Sequence, residues 1–118
     1  MHEVSLVQAL IDQVQREVEA SGHAGRVVRI ELAVGRMSGA HPESLRFAFG
    51  LLAPGTLVEG AQLDIQQPKA VCVCRACGVQ TPIDELITAC PECGSGDIHI
   101  QGGRDLLLES IELDESVP

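Results

Sequence analysis

Aromatic residues are nearly absent: the 118 residues include no Trp, no Tyr and two Phe, a share of 2%. With almost no rings to stack on bases, recognition of single-stranded nucleic acid by stacking is excluded. Positive charge is scarce as well, with 8 Lys and Arg against 17 Asp and Glu and a formal net charge of −9. Such a field repels phosphate backbones and anionic lipid, so neither nucleic acid nor membrane is expected as a partner. It suits cations or a basic protein partner instead. No run of about 18 consecutive apolar residues occurs, and no basic segment followed by an apolar one opens the chain, so neither a membrane span nor a secretory signal is expected. The expected location is the cytoplasm. No nucleophile–base arrangement, phosphate-binding glycine loop or pair of poised carboxylates stands out, which leaves an enzymatic role unsupported.

What is present is a 45% hydrophobic chain, enough for one modest globular unit or a small domain carrying a smaller insert. Ser5 and Gln8 have capping-box spacing, which predicts a helix start near Ser5 with Met1-His2-Glu3 as a lead-in that helical hydrogen bonding does not consume. Val7, Leu10, Ile11, Val14 and Val18 make one apolar stripe along it, and Gly22 and Gly25 end it. Val28, Ile30, Leu32 and Val34 alternate with Arg29, Glu31 and Ala33, predicting a half-buried strand. Pro42 and Glu43 suit the first turn of a second helix, with Leu45, Ala48, Phe49 and Leu52 as its buried stripe and Pro54-Gly55 as its stop. Ala61, Leu63 and Ile65 alternate in a second strand. A third is expected from Asp105 to Asp114, where Leu106 and Leu108 face one way and Ile111 and Leu113 the other. A bulge near Glu109 and Ser110 reconciles the two halves.

Between the second and third strands lies a stretch rich in Cys and Gly. The expected fold is therefore α+β: a small three-stranded sheet with two helices, formed by residues 1–69 and 103–118, interrupted by an inserted zinc-ribbon-like subdomain at residues 70–102.

Cys74-Arg75-Ala76-Cys77-Gly78 and Cys90-Pro91-Glu92-Cys93-Gly94 are two Cys-x-x-Cys units separated by twelve residues. Two intervening residues let one tight turn present both thiolates to the same ion, and the following Gly lets the chain leave with positive φ. Two such knuckles facing each other complete a tetrahedral four-thiolate site of the kind that holds structural zinc. The segment has few apolar residues, and structural zinc contributes on the order of 10–16 kcal/mol in peptide systems, so metal is expected to hold the insert together. A rubredoxin-like iron site uses similar knuckles and is the competing metal assignment. Cys72 fits a spare thiol on the leading strand better than a ligand in a shifted register.

A second candidate site is the beginning of the chain. In Met1-His2-Glu3 an imidazole and a carboxylate stand beside a free α-amine, several possible metal donors within three residues. A His at position 2 alone is weak evidence, and its weight depends on the rest of the sequence. His23 and His41 read as loop or helix-start residues, and His99, between Ile98 and Ile100, as a solvent-facing strand residue.

These features taken in order, Met1-His2-Glu3, the first helix, Val34-Gly35-Arg36-Met37-Ser38-Gly39, the helix from Pro42, the run Gly55-Thr56-Leu57-Val58-Glu59-Gly60-Ala61, the two knuckles and an acidic last strand, resemble the HypA/HybF family of hydrogenase nickel-incorporation proteins from end to end. The resemblance implies a nickel metallochaperone rather than an enzyme. It implies weak Ni(II) binding through the His2 imidazole, the Met1 amine and the backbone nitrogens of His2 and Glu3, with the Glu3 carboxylate in a supporting role. It implies Zn(II) on Cys74, Cys77, Cys90 and Cys93. The implied partners are the GTPase HypB and the large subunit of [NiFe]-hydrogenase, with urease maturation proteins added in some members. Some members also place an acidic residue near the nickel site where this chain has Ala40 and His41. Against this stand two readings without nickel, a zinc-ribbon interaction module and a small iron redox protein.

Overall fold

The computed structural model describes residues 3–22 and 25–114. In chain order the elements are α1 (Glu3–Ser21), β1 (Arg26–Val34), α2 (Pro42–Leu52), β2 (Gln62–Gln66), β3 (Ala70–Cys74), β4 (Gln80–Ile83), β5 (Ile98–Gln101) and β6 (Leu106–Asp114). They form two three-stranded sheets, ordered β2-β1-β6 and β4-β3-β5. The two helices and the first sheet are the expected α+β core; Cys72 and Cys74 lie on β3 of the second sheet, and Cys77, Cys90 and Cys93 lie in the turns outside its strands.

α1 buries Val7, Leu10, Ile11 and Val14, four of the five expected stripe positions, because 3.6-residue periodicity brings these side chains to one face; Val18, the fifth, is half-buried. Its outer face is laced by the Gln8 amide donating to Asp12 and the Gln15 amide donating to Glu19. The helix begins earlier than the capping-box spacing indicates: Glu3 is already helical, so Ser5 lies inside the first turn rather than capping it. The exit is at Gly22, whose φ of +74° a side chain would resist.

α2 starts with Pro42 in its first turn, where the missing N–H costs nothing, and buries Leu45, Ala48 and Phe49. Beyond it, the Thr56 hydroxyl donates to the Ala53 carbonyl and Val58 sits fully buried, which turns the chain toward β2.

Along β1, Ile30, Leu32 and Val34 are buried as expected, but the alternation breaks at the start. Val27 is 1% exposed and Val28 is 36% exposed, so Val27 takes the core position assigned by pattern to Val28. In β6, Leu106, Leu108, Ile111 and Leu113 are half-buried while Glu109 and Ser110 are both exposed, the change of phase expected there.

The described residues divide into two compact units. One comprises the chain up to Leu32, Ala40–Ile65 and the chain from Leu108; the other comprises Ala33–Gly39 and Gln66–Leu107. The second unit takes in more than residues 70–102. Backbone N–H groups of Gly35, Arg36 and Met37 donate to the carbonyls of Asp105, Pro68 and Gly103, which ties the Gly35–Gly39 loop to the segments flanking its sheet. Within that sheet β3 is central and antiparallel to both neighbours, with Cys72 opposite Thr81 and Ile100, and Val73 opposite Gln80 and His99.

Candidate metal centre

The two knuckles are built alike. In the first, Cys74 N–H donates to the Val79 carbonyl at 3.0 Å, Gly78 N–H donates to the Cys74 carbonyl at 3.0 Å, and Cys77 N–H points at the Cys74 sulfur at 3.3 Å. In the second, Cys90 N–H donates to the Ser95 carbonyl at 2.8 Å and Gly94 N–H to the Cys90 carbonyl at 2.9 Å, while the Cys90 sulfur receives Glu92 N–H at 3.4 Å and Cys93 N–H at 3.5 Å. Gly78 and Gly94 have φ of +79° and +77°, the left-handed conformation that ends each turn. Arg75 fastens the first knuckle to the chain entering β5, through its N–H to the Asp97 carbonyl and its guanidinium to the Asp97 carboxylate at 3.1 Å.

This architecture brings the sulfurs of Cys74, Cys77, Cys90 and Cys93 within 4.8 Å of one another. Cys74 and Cys93 sulfurs are 3.6 Å apart, and those of Cys77 and Cys90 are 3.8 Å apart. Tetrahedral thiolates at about 2.3 Å from a zinc-sized ion stand about 3.8 Å from one another, whereas a disulfide requires about 2.05 Å. The donor set and its spacing fit a bound dication. Cys74 and Cys90 are buried and Cys77 and Cys93 face outward, so the site lies at the rim of its unit.

Charge within the cluster points the same way. The Cys77 N–H stabilises the Cys74 thiolate and, with the other N–H and S–H donors around it, lowers that pKa to about 6. The Val79 N–H favours ionisation of Cys77 too, but burial and the three neighbouring sulfurs outweigh it and push that pKa up to about 12. One thiolate forms readily and the next resists; a cation is what lets all of them ionise together.

Cys72 is outside this group. It is 1% exposed and packs with Ala70 and Ile83 under Met37, Ile87, Ile98 and Ile100, and burial raises its pKa, as expected of a spare core thiol. His99 is exposed on β5 and is not part of the thiolate cluster. His41 precedes α2 and makes no side-chain cap. His23 lies outside the described residues.

Met1 and His2 also lie outside the described residues. Glu3 does not: it is half-buried in the first turn of α1. The first four N–H groups of a helix have no intrahelical acceptor, so the Glu3 backbone nitrogen remains unconsumed even though the residue is helical. Glu3 lines a trough of about 380 Å³ with Val4, Glu43, Ser44, Phe47, Ala48 and Leu51. Phe47 is 71% exposed there and Leu51 63%. Both residues are apolar yet fall off the buried stripe of α2, and that departure from the stripe is the sequence signal of this surface.

A small helix-and-sheet unit joined to a four-thiolate knuckle unit defines a metal-handling protein, with no described helix long and apolar enough to cross a membrane. The model of the family described as hydrogenase/urease nickel incorporation, metallochaperone, HypA, matches residues 1–113. The chain belongs to that family. It is similar to the hydrogenase maturation factor HypA of Chlorobium limicola, at 44% identity over 98% of each chain, and to that of Beijerinckia indica, at 35% identity over 96% of this chain and 99% of the relative. Its fold is similar to the solution structure of the nickel metallochaperone HypA from Helicobacter pylori, with a TM-score of 0.67, 27% identity and coverage of 96% and 97%. It thus belongs among the nickel metallochaperones of hydrogenase maturation.

Proposed function

We propose that the chain carries Ni(II) as cargo at its N-terminal end and keeps Zn(II) in the knuckle unit. Nickel donors are the Met1 amine, the His2 imidazole and the backbone nitrogens of His2 and Glu3, with the Glu3 carboxylate alongside. Consecutive nitrogens form compact chelate rings, and a square-planar nitrogen set suits Ni(II). The α1 N-terminus carries partial positive charge, which opposes a dication and keeps the hold weak, as release to an acceptor requires; Glu3 offsets part of it. Nickel passes to the large subunit of [NiFe]-hydrogenase with the GTPase HypB as partner, and urease maturation proteins are a further destination. The chain works in the cytoplasm as a carrier without catalysis of its own. The unit that holds α1 and α2 serves nickel, and the unit of residues 33–39 and 66–107 serves zinc.

Cys74, Cys77, Cys90 and Cys93 hold the zinc, whose contribution is to neutralise four crowded thiolates and lock both knuckles. A closed thiolate set does not surrender its ion readily, which separates the fixed metal from the cargo. The observation carrying the reading is the family match over residues 1–113. Its test is native mass spectrometry with nickel titration of chain beginning at Met1. One retained zinc and one exchangeable nickel per chain are expected; an iron-type visible spectrum as isolated, or no nickel uptake, contradicts it.

A further inference from the structure

Ala70, Cys72 and Cys74 line one face of β3 and are 0%, 1% and 1% exposed. Cys74 belongs to the thiolate cluster at one end of that face. At the other end Ala70 lies against Gly103, where an added Cβ would come within 2.6 Å of the Ala70 nitrogen. Gly103 in turn lies against Gly35, where an added Cβ would clash with the Gly103 carbonyl carbon and oxygen. These contacts leave no room for a methyl group at either glycine: backbone stands in the way at Gly35, and the Ala70 backbone together with its Cβ at Gly103.

Hydrogen bonds close the same seam. Gly35 N–H donates to the Asp105 carbonyl at 2.8 Å, Met37 N–H to the Gly103 carbonyl at 2.7 Å and Arg36 N–H to the Pro68 carbonyl at 3.1 Å. The Arg36 guanidinium donates to the Gln67 carbonyl at 3.2 Å and reaches Asp84 at 3.3 Å, which Lys69 approaches at 3.6 Å. Met37 packs on the cluster of Ala70, Cys72 and Ile83. That cluster has three buried side chains, too few to order a unit by apolar burial alone.

We propose that Gly35–Met37 is a clasp that closes only when the four thiolates hold a metal. Metal fixes Cys74 and with it β3, β3 presents Ala70 to Gly103, and Gly103 offers the carbonyl that Met37 grips. Without metal the small core loosens, Gly103 leaves Ala70, and the segment running from β1 toward α2 is released. The proposal rests on the reading that these thiolates bind metal, and it assigns to Gly35, Met37 and Gly103 a sensing role that ligand chemistry alone does not give them.

Hydrogen exchange of the full chain tests it, with and without chelation under reducing conditions and with metal content measured by mass. The Gly35 and Met37 amides are expected to exchange at least about tenfold faster after metal removal, while the middle of α1 changes little. Gly103→Ala is expected to give the fast exchange with metal still bound, and Met37→Ala, a milder change, to move it the same way with the four-thiolate Co(II) spectrum intact. Equal protection in loaded and stripped chains overturns the clasp alone, as does unchanged exchange in both metal-loaded variants. A chain whose thiolates take up no metal, by mass and by Co(II) spectrum, overturns the reading beneath it and the clasp together.

Discussion

The sulfur of Cys74 stands 3.6 Å from that of Cys93, although 19 positions separate them in sequence. The distance suits two ligands of one ion and is far too long for a disulfide, so the spacing fits closure of the unit by coordination rather than by a covalent bond.

Replacing one ligand should therefore unfold one unit and spare the other. Cys93→Ser is expected to abolish stable metal retention and the protection of β3, β4 and β5, since coordination of the order of 10 kcal/mol exceeds what a three-residue buried core supplies. α1 and α2 should persist. Hydrogen exchange by region, with metal content by mass, checks this; a variant retaining metal and β3 protection contradicts it.

Two neighbouring positions of α2 should behave differently. Leu45 is 1% exposed, and Leu45→Ala is expected to cost about 2–5 kcal/mol in urea denaturation. Phe47 is 71% exposed, and Phe47→Ala should change stability by no more than about 0.5 kcal/mol. A large loss at Phe47 would mean that its ring is buried in solution.

Acid sensitivity should trace partly to Asp64. Its carboxylate accepts from the Gln62 amide at 2.7 Å and from the Arg29 guanidinium, which also reaches Glu31 at 2.8 Å, and these donors hold its pKa below the ordinary carboxylate value. A depressed folded pKa means stability that is present above the unfolded value, near pH 4, and lost as pH falls through the lowered folded value. Asp64→Asn should be less stable than the parent at pH 7, with the gap closing below about pH 4. Urea midpoints at pH 7, 5 and 3 read this directly. Because Arg29 and Asp64 are partly solvent-exposed, the effect should be modest and shrink in high salt.

Much of this was legible in the residues. The Cys-x-x-Cys-Gly repeats encode their own turns, so the four clustered cysteines and the two positive-φ glycines follow from local spacing. The phase change between Leu108 and Ile111 was legible because it is a break in strand parity. What escaped depends on partners distant in sequence. Nothing near Gly35 announces that its N–H pairs with Asp105, so the loop reads as a plain connection between β1 and α2. Val27 and Val28 are chemically identical, and only packing chooses between them. At α1, the Ser5–Gln8 pattern competes with helix propagation back to Glu3, and propagation wins.

On the proposed assignment, nickel is held at Met1-His2-Glu3 by amine and backbone as well as by imidazole. Nickel titration by native mass spectrometry tests it on three proteins: chain beginning at Met1, His2→Ala, and chain with one residue added before Met1. A labile nickel is expected in the first only, with one retained zinc in all three. Nickel binding that survives both changes would contradict it.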